Sequence, residues 1–559
     1  MPELLAMIFS YLERPTLVAA ACACRQWSQL SLDTLWHDVD DLVGLFGLLA
    51  PLRRDVKQFF FTRPLEAKDW QRFEKYSVRV RRLYNNKECL PFSELSIRNV
   101  PYVGDSVFEE LSRTRTSLHI LPNIHTLHWY APLRFCVMFM NANIKTFVCH
   151  LPLMPSPNIS LQPFFHDIVS RMPNLTVFDL RTSIRVSEIE AGLVSVLESL
   201  PKLRKVVFPC YYYTSVLAEC LSRLENLCII EFQYHPSQGR GDRDDTVSVR
   251  PTFESGAYPA LFDLSFAATY DDAARFVDIP FAPTNLTVIY IDSYLNESPA
   301  AVRKFLAVLA ENCTLLRSIS LVSYVSTMML LPDDPDKAKK EWLDMHALEP
   351  LFACPNVTDF EIVHQYPIRI LQAEMEDMAR KWPSLQSLLL GAEPAWLSES
   401  TLTLEALLPF ARHCPRLNRL SLFVDATTLP ELPTDLPVFK CLGRLGTGTS
   451  LISQDTDSVA LFLSRILTPG CTLEYGVAWD STESLELVDI AVMREIDSRC
   501  DLWARVGELV PTLTRLRLEE RQRTKDLEAE LRRLKIMNAS ALSLQVRPSP
   551  RERHGCVVM

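Results

Sequence analysis

The residues most plainly arranged for chemistry are the last four, Cys556-Val557-Val558-Met559. This is the C-a-a-X order that a prenyltransferase takes: a thiol to alkylate, two aliphatic side chains to fill the enzyme's pocket, and a terminal Met that favours a farnesyl group. Arg547, Arg551 and Arg553 lie just upstream and supply the positive charge that one lipid chain needs as a second membrane signal. The expectation is lipidation at Cys556 and membrane association through the prenyl group.

Elsewhere the reactive side chains are scattered. The 15 cysteines include no CxxC pair, so they are expected as reduced thiols that act as small apolar side chains. The 11 histidines are dispersed. His125 and His128 have the wrong spacing to share one face of a strand, and His364 and His413 stand alone near unit boundaries. Arg79, Arg81 and Arg82 form a small basic cluster that could hold a phosphate, although a solvated face is the commoner role of such a run. There is no G-x-x-x-x-G-K-S/T, G-x-G-x-x-G, H-E-x-x-H or G-x-S-x-G motif. No enzyme, metal or cofactor is expected.

A formal charge of -10 and a pI near 5.7 argue against nucleic acid as a partner, since phosphate binding needs clustered Lys and Arg. At 48% hydrophobic the chain should fold, and its 559 residues exceed the size at which a single core stops growing, so it should divide or extend as a repeat array. No apolar run approaches the roughly 20 residues of a membrane span. The N-terminal stretch is acidic where a signal peptide would be basic. A cytoplasmic or nuclear location is expected.

The first of the elements that position these residues is Met1 to Val39. Leu4, Leu5, Ile8, Phe9 and Leu12 recur at helical spacing. Pro15 should end that helix, and a second should begin at Thr16 and carry Leu17, Ala20, Ala21, Cys24 and Trp27 down one side. Leu35 and Trp36 close the unit. Below roughly 40 residues a segment rarely buries enough surface to stand alone, yet this one is apolar on more than one side. Something else must cover it.

Pro2-Glu3-Leu4-Leu5, Ile8-Phe9-Ser10-Tyr11-Leu12, Leu17, Cys24-Arg25-Gln26-Trp27 and Leu35-Trp36 resemble the F-box motif in order and spacing. Met1 stands where the family usually has Leu. The resemblance implies a three-helix unit that docks a Skp-type adaptor and, through it, a cullin-RING ubiquitin ligase. Carried over residue by residue, it implies adaptor contacts from Pro2, Leu4, Leu5, Ile8, Phe9, Leu12, Leu17, Arg25, Trp27 and Trp36.

From about residue 90 to 475 one pattern returns: a Pro or Cys, an apolar residue, two spacers, an apolar residue, a spacer, an apolar residue. Its copies start at Pro122, Pro173, Pro201, Glu225, Pro259, Thr284, Thr314, Pro355, Pro383, Pro415 and Cys441. A period of about 28 residues falls in the upper leucine-rich-repeat range. Each L-x-x-L-x-L stretch alternates like a short strand, and before each strand lies a run with the three-to-four-residue spacing of a helix, such as Ile189–Leu200, Ala300–Glu311 and Leu402–His413. Stacked copies would place parallel strands on a concave face and helices on a convex one. Cys313, Cys354 and Cys414 look like the buried cysteine of the cysteine-containing repeat subtype. The polar or Pro-rich insertions His235–Pro251, Leu331–Lys340 and Asp425–Pro437 read as surface loops.

The expected fold class is therefore α/β, irregular and solenoidal. The F-box occupies 1–39, a linker or first repeat-like segment 40–98, and the solenoid 99–510. A charged helix follows over 511–537, with too few apolar heptads for a strong coiled coil, then a disordered tail over 538–559. The expected function is that of a non-catalytic substrate-recognition subunit of an SCF-type ubiquitin ligase, its repeats binding an unknown protein target. The alternative is a repeat scaffold without a ligase.

Overall fold

The computed structural model describes residues 2–85, 102–130, 132–151, 161–232, 238–247, 249–324, 340–394, 396–397, 400–430, 436–477 and 490–545. They divide into two compact units, Met1–Val325 with His346–Ile362, and Ser326–Met345 with Val363–Met559.

The first unit opens with three helices, α1 (Pro2–Ser10), α2 (Arg14–Ala23) and α3 (Arg25–Leu35). Pro15 lies in the first turn of α2, where its missing N–H costs nothing, so it starts the second helix and does not end the first. Parallel strands follow: β1 (Asp38–Val39), β4 (Arg82–Asn85), β6 (Thr126–Tyr130), β7 (Thr146–His150), β8 (Val177–Arg181), β9 (Lys205–Phe208), β10 (Ile229–Phe232), β11 (Asp263–Ala267), β12 (Val288–Ser293) and β13 (Ser318–Ser323). A small side sheet holds β2 (Leu52–Asp55), β3 (Gln58–Phe61) and β5 (Tyr102–Val103).

Register explains why these strands stack. Val39, Leu83, Leu127, Phe147, Phe178, Val206, Ile230, Leu264, Ile289 and Ile319 pair in sequence across the sheet, one per strand, and all are buried. The same side of each strand meets the helices, which also touch one another from repeat to repeat and so form a second layer. Asparagines add a polar ladder along the repeat edge. The side-chain amides of Asn123, Asn143, Asn174 and Asn226 donate to the carbonyls of Val78, Pro122, Ala142 and Pro201 at 2.7, 2.9, 2.8 and 3.0 Å.

Every expected anchor leads into a strand, the one at Pro355 into β14 (Asp359–His364), but the sheet also begins earlier than residue 99. β1 and β4 already belong to it, because Val39 and Leu83 continue the apolar ladder. β7 was not anticipated either: its lead-in, Ala142-Asn143-Ile144-Lys145, has Ala where most other copies have Pro.

Cys313, Cys354 and Cys414 are buried thiols. Burial pushes Cys313 and Cys414 up to about 12, and Cys414 Sγ points at the Ala379 and Trp382 carbonyls at 3.5 and 3.4 Å. Among the described residues no group of His, Cys, Asp and Glu could hold a metal ion.

In the second unit, β15 (Ser387–Leu390), β16 (Arg419–Leu422), β18 (Arg444–Gly448) and β20 (Thr472–Tyr475) continue the parallel pattern. The insertion expected to be a loop from Asp425 starts as a strand, β17 (Asp425–Ala426), which pairs with β19 (Leu451–Ile452). The C-terminal helix runs from Ile490 to Gln545, so it begins well before residue 511 and continues past 537. Pro511 lies inside it and Gly507 one turn before. Burial of Trp503, Val506 and Val510 outweighs their helix propensities. Arg499 donates to the Thr449 carbonyl at 2.9 Å and Trp503 Nε1 to the Ser450 carbonyl at 3.0 Å, fixing this end. From Leu518 to Asn538 every side chain is exposed.

One carboxylate on the strands opposes folding at neutral pH. Burial, and then the nearby Glu231, raise Asp263 to about 6, with Lys205 offsetting part of the shift. The folded state therefore favours the protonated acid, and stability falls as pH climbs from about 4 through 6. Asp263→Asn should raise stability by about 1–2 kcal/mol at pH 7.5, after discounting for solvent screening, and have little effect at pH 4. Thermal melts at the two pH values measure the difference.

Candidate functional site

Three short helices can bury only a small core, and the one they form is built on Phe9, Leu17 and Ala20, with Leu12, Leu30 and Leu35 against it. Phe9 sets its ring edge-on to Trp27, with centroids 5.7 Å apart and planes at 78°. α3 is capped by the Cys24 sulfur, 3.5 Å from the Trp27 N–H. Glu3, in the first turn of α1, suits the positive end of the helix dipole.

Among the described residues nothing covers the other side of α1. Leu4 is 60% exposed and Ile8 55%, and with Met7 and Tyr11 they make an apolar stripe at i, i+3, i+4 and i+7. Val18 on α2 is exposed as well, and Trp27 is 40% exposed even though its edge meets Phe9. A helix that is apolar on both sides needs a second partner, because an outward stripe of large aliphatic and aromatic groups costs free energy in water.

Sorting the expected contact residues by position changes the set. Leu4, Ile8 and Trp27 lie on the outer face, Arg25 is exposed, and Leu5 is partly covered. Phe9 and Leu17 are each only 3% exposed: they point between the helices and hold the hairpin together. Leu12 packs on that same core. Trp36 leans on Tyr76, ring centroids 5.4 Å apart, and ties the unit to the next segment. Pro2 is the first residue of α1. Cys556 lies outside the described residues. Met7, Tyr11 and Val18 were absent from the expected set, although the helical spacing from Leu4 would have found Tyr11.

The three helices are anchored to the sheet from below. Arg79 reaches back from the segment before β4 to donate to the Gln29 carbonyl at 3.2 Å and to the Gln29 and Asp33 side chains. The amides of Arg81 and Arg82 donate to the His37 carbonyl at 2.9 and 3.0 Å. Arg79 is thus a clamp and not a phosphate contact. Arg79→Met, which keeps the aliphatic stem, should cost about 2–3 kcal/mol locally through lost charged hydrogen bonds. Hydrogen exchange should then quicken in α3 while β6 to β9 stay unchanged.

The sequence profile of the F-box-like family matches residues 2–41. No curated protein matches the chain. Among solved structures, the crystal structure of the TLR13–ssRNA13 complex overlaps 71% of this chain at 14% identity and a TM-score of 0.30. This chain spans 59% of that one. The crystal structure of the LRIM1/APL1C complex overlaps 82% of this chain and 72% of its own, at 12% identity and a TM-score of 0.26. Likenesses that slight carry no argument about what this chain binds.

Proposed function

We propose that this chain, an F-box-like segment continued by a parallel-strand repeat array, is the non-catalytic substrate-recognition subunit of an SCF-type ubiquitin ligase. The observation that carries the reading is the uncovered apolar stripe of Leu4, Met7, Ile8 and Tyr11 on a unit whose inner face is already full. A Skp-type adaptor would cover that stripe and bring a cullin. The repeats would hold a protein target, raising the effective concentration of its lysines beside the ubiquitin-charged enzyme.

A second reading has its own observation. Val39 is the first rung of the buried apolar ladder, so the three helices also cap the sheet, as they would in a scaffold with no ligase partner. Co-expression of the full chain with a Skp-type adaptor and a cullin separates the two. The ligase reading expects one complex that co-elutes through gel filtration, whereas recovery of the chain without the adaptor would leave the scaffold.

A further inference from the structure

The C-terminal helix is held at one end only. Ile496, Trp503, Val506 and Val510 are buried against the second unit, but from Leu518 to Asn538, about 30 Å of helix, every side chain is exposed. A lone helix of that length is marginal in water. Its side chains add the exposed Glu528–Arg532 ion pair at 3.6 Å and the Gln522–Asp526 hydrogen bond at 2.9 Å, which are weak supports on a solvated surface.

The exposed part keeps one apolar seam. Leu527, Leu531 and Leu534 are 66, 53 and 55% exposed, and they step by four residues and then three, as the d, a and d positions of a heptad do. Counted back in sevens, the same frame puts Ile496, Trp503 and Val510 at a and Val506 at d. The seam that is buried on the repeats is therefore the one that is bare farther on, interrupted by Arg517 and Glu520 where the cover ends. A straight helix drifts about 20° per heptad, so between Trp503 and Thr524 the seam turns by about 60° away from the surface that anchors the helix.

Three leucines with acids and bases mixed on both flanks make a narrow stripe. That suits a second helix and not a lipid surface, which would need a broad apolar face beside a basic one. The flanks say which helix. In two parallel chains in register, each g position meets the e position five residues on in the other chain. Arg523 at g then meets Glu528 of the second copy, Glu530 at g meets Lys535 of the second copy, and twofold symmetry repeats both pairs. Asn538 falls at a and faces itself, where a single polar residue fixes register and orientation. Antiparallel pairing sets a against d and matches at most two leucine layers, because the third leucine then faces Thr524 or Asn538.

We propose that residues 520–538 pair with the same segment of a second copy of this chain as a short parallel coiled coil. Three leucine layers are fewer than a free-standing coiled coil needs. Here, however, the helix is already formed and anchored at one end, so association orders little. The dimer is weak, with a dissociation constant of about 10 µM, and it joins two repeat arrays, so that a target with two binding segments is held by avidity.

The test is sedimentation equilibrium of the full-length chain under reducing conditions, with Cys556→Ser so that no lipid contributes. With the seam intact, the mass should rise from one chain at about 1 µM to two at about 100 µM. Leu531→Lys, at an exposed position, should weaken association by about a hundredfold or more and leave the thermal melt unchanged. Glu530→Lys and Lys535→Glu should each weaken it by about tenfold, since each sets like charges together twice. An equimolar mixture of those two variants should recover it, because every swapped side chain then meets its opposite. A chain that stays single at about 100 µM, a Leu531→Lys variant that pairs as well as the parent, or a mixture no stronger than its components would overturn the proposal.

Discussion

Leu4→Asp combined with Ile8→Asp should abolish capture of a Skp-type adaptor while leaving the thermal transition of the chain unchanged. Both side chains face solvent in the free protein, so a carboxylate at either costs nothing in folding. Covered by an apolar partner face, each would have to lose its hydration with nothing to pair with, at about 2–4 kcal/mol apiece. Together that is a loss of about a thousandfold or more in affinity. An unchanged melt with undiminished capture would mean the stripe is not the contact.

Phe9→Ala should fail by a different route. Phe9 is an internal side chain, and its removal takes away the ring that meets Trp27 and much of a core with few members. Phe to Ala in a core costs about 3–5 kcal/mol, comparable to everything such a small unit has to spend, so α1 to α3 should open locally while the repeats stay folded. Adaptor capture would fall here too. The two variants part on hydrogen exchange, where Phe9→Ala exposes the amides of α1 and α2 and the double aspartate variant does not.

The repeats were legible because their pattern is set by packing: an inward residue at every second strand position and a Pro or Cys that stops the preceding helix. β7 escaped since Asn143 does the edge bonding of its neighbours without their Pro. Inner and outer residues of α1 could not be separated from sequence. Leu4 and Ile8 on one side and Phe9 on the other are all apolar, so the periodicity is nearly uniform around the helix, and only the positions of α2 and α3 decide which side is core. Arg79 read as a solvated cation since its partners, Gln29 and Asp33, lie some fifty residues earlier in the chain. The long C-terminal helix hid behind Gly507 and Pro511, whose propensities are overruled by Trp503 and Val510 in the core.

The N-terminal helices and their proposed partner can be watched directly by hydrogen–deuterium exchange of the full chain, alone and with a stoichiometric Skp-type adaptor. Adaptor docking on α1 predicts slowed exchange confined to residues 2–30, strongest in the turn from Met7 to Leu12, with the repeat strands unaltered. No protection there, or protection only among the repeats, would contradict it.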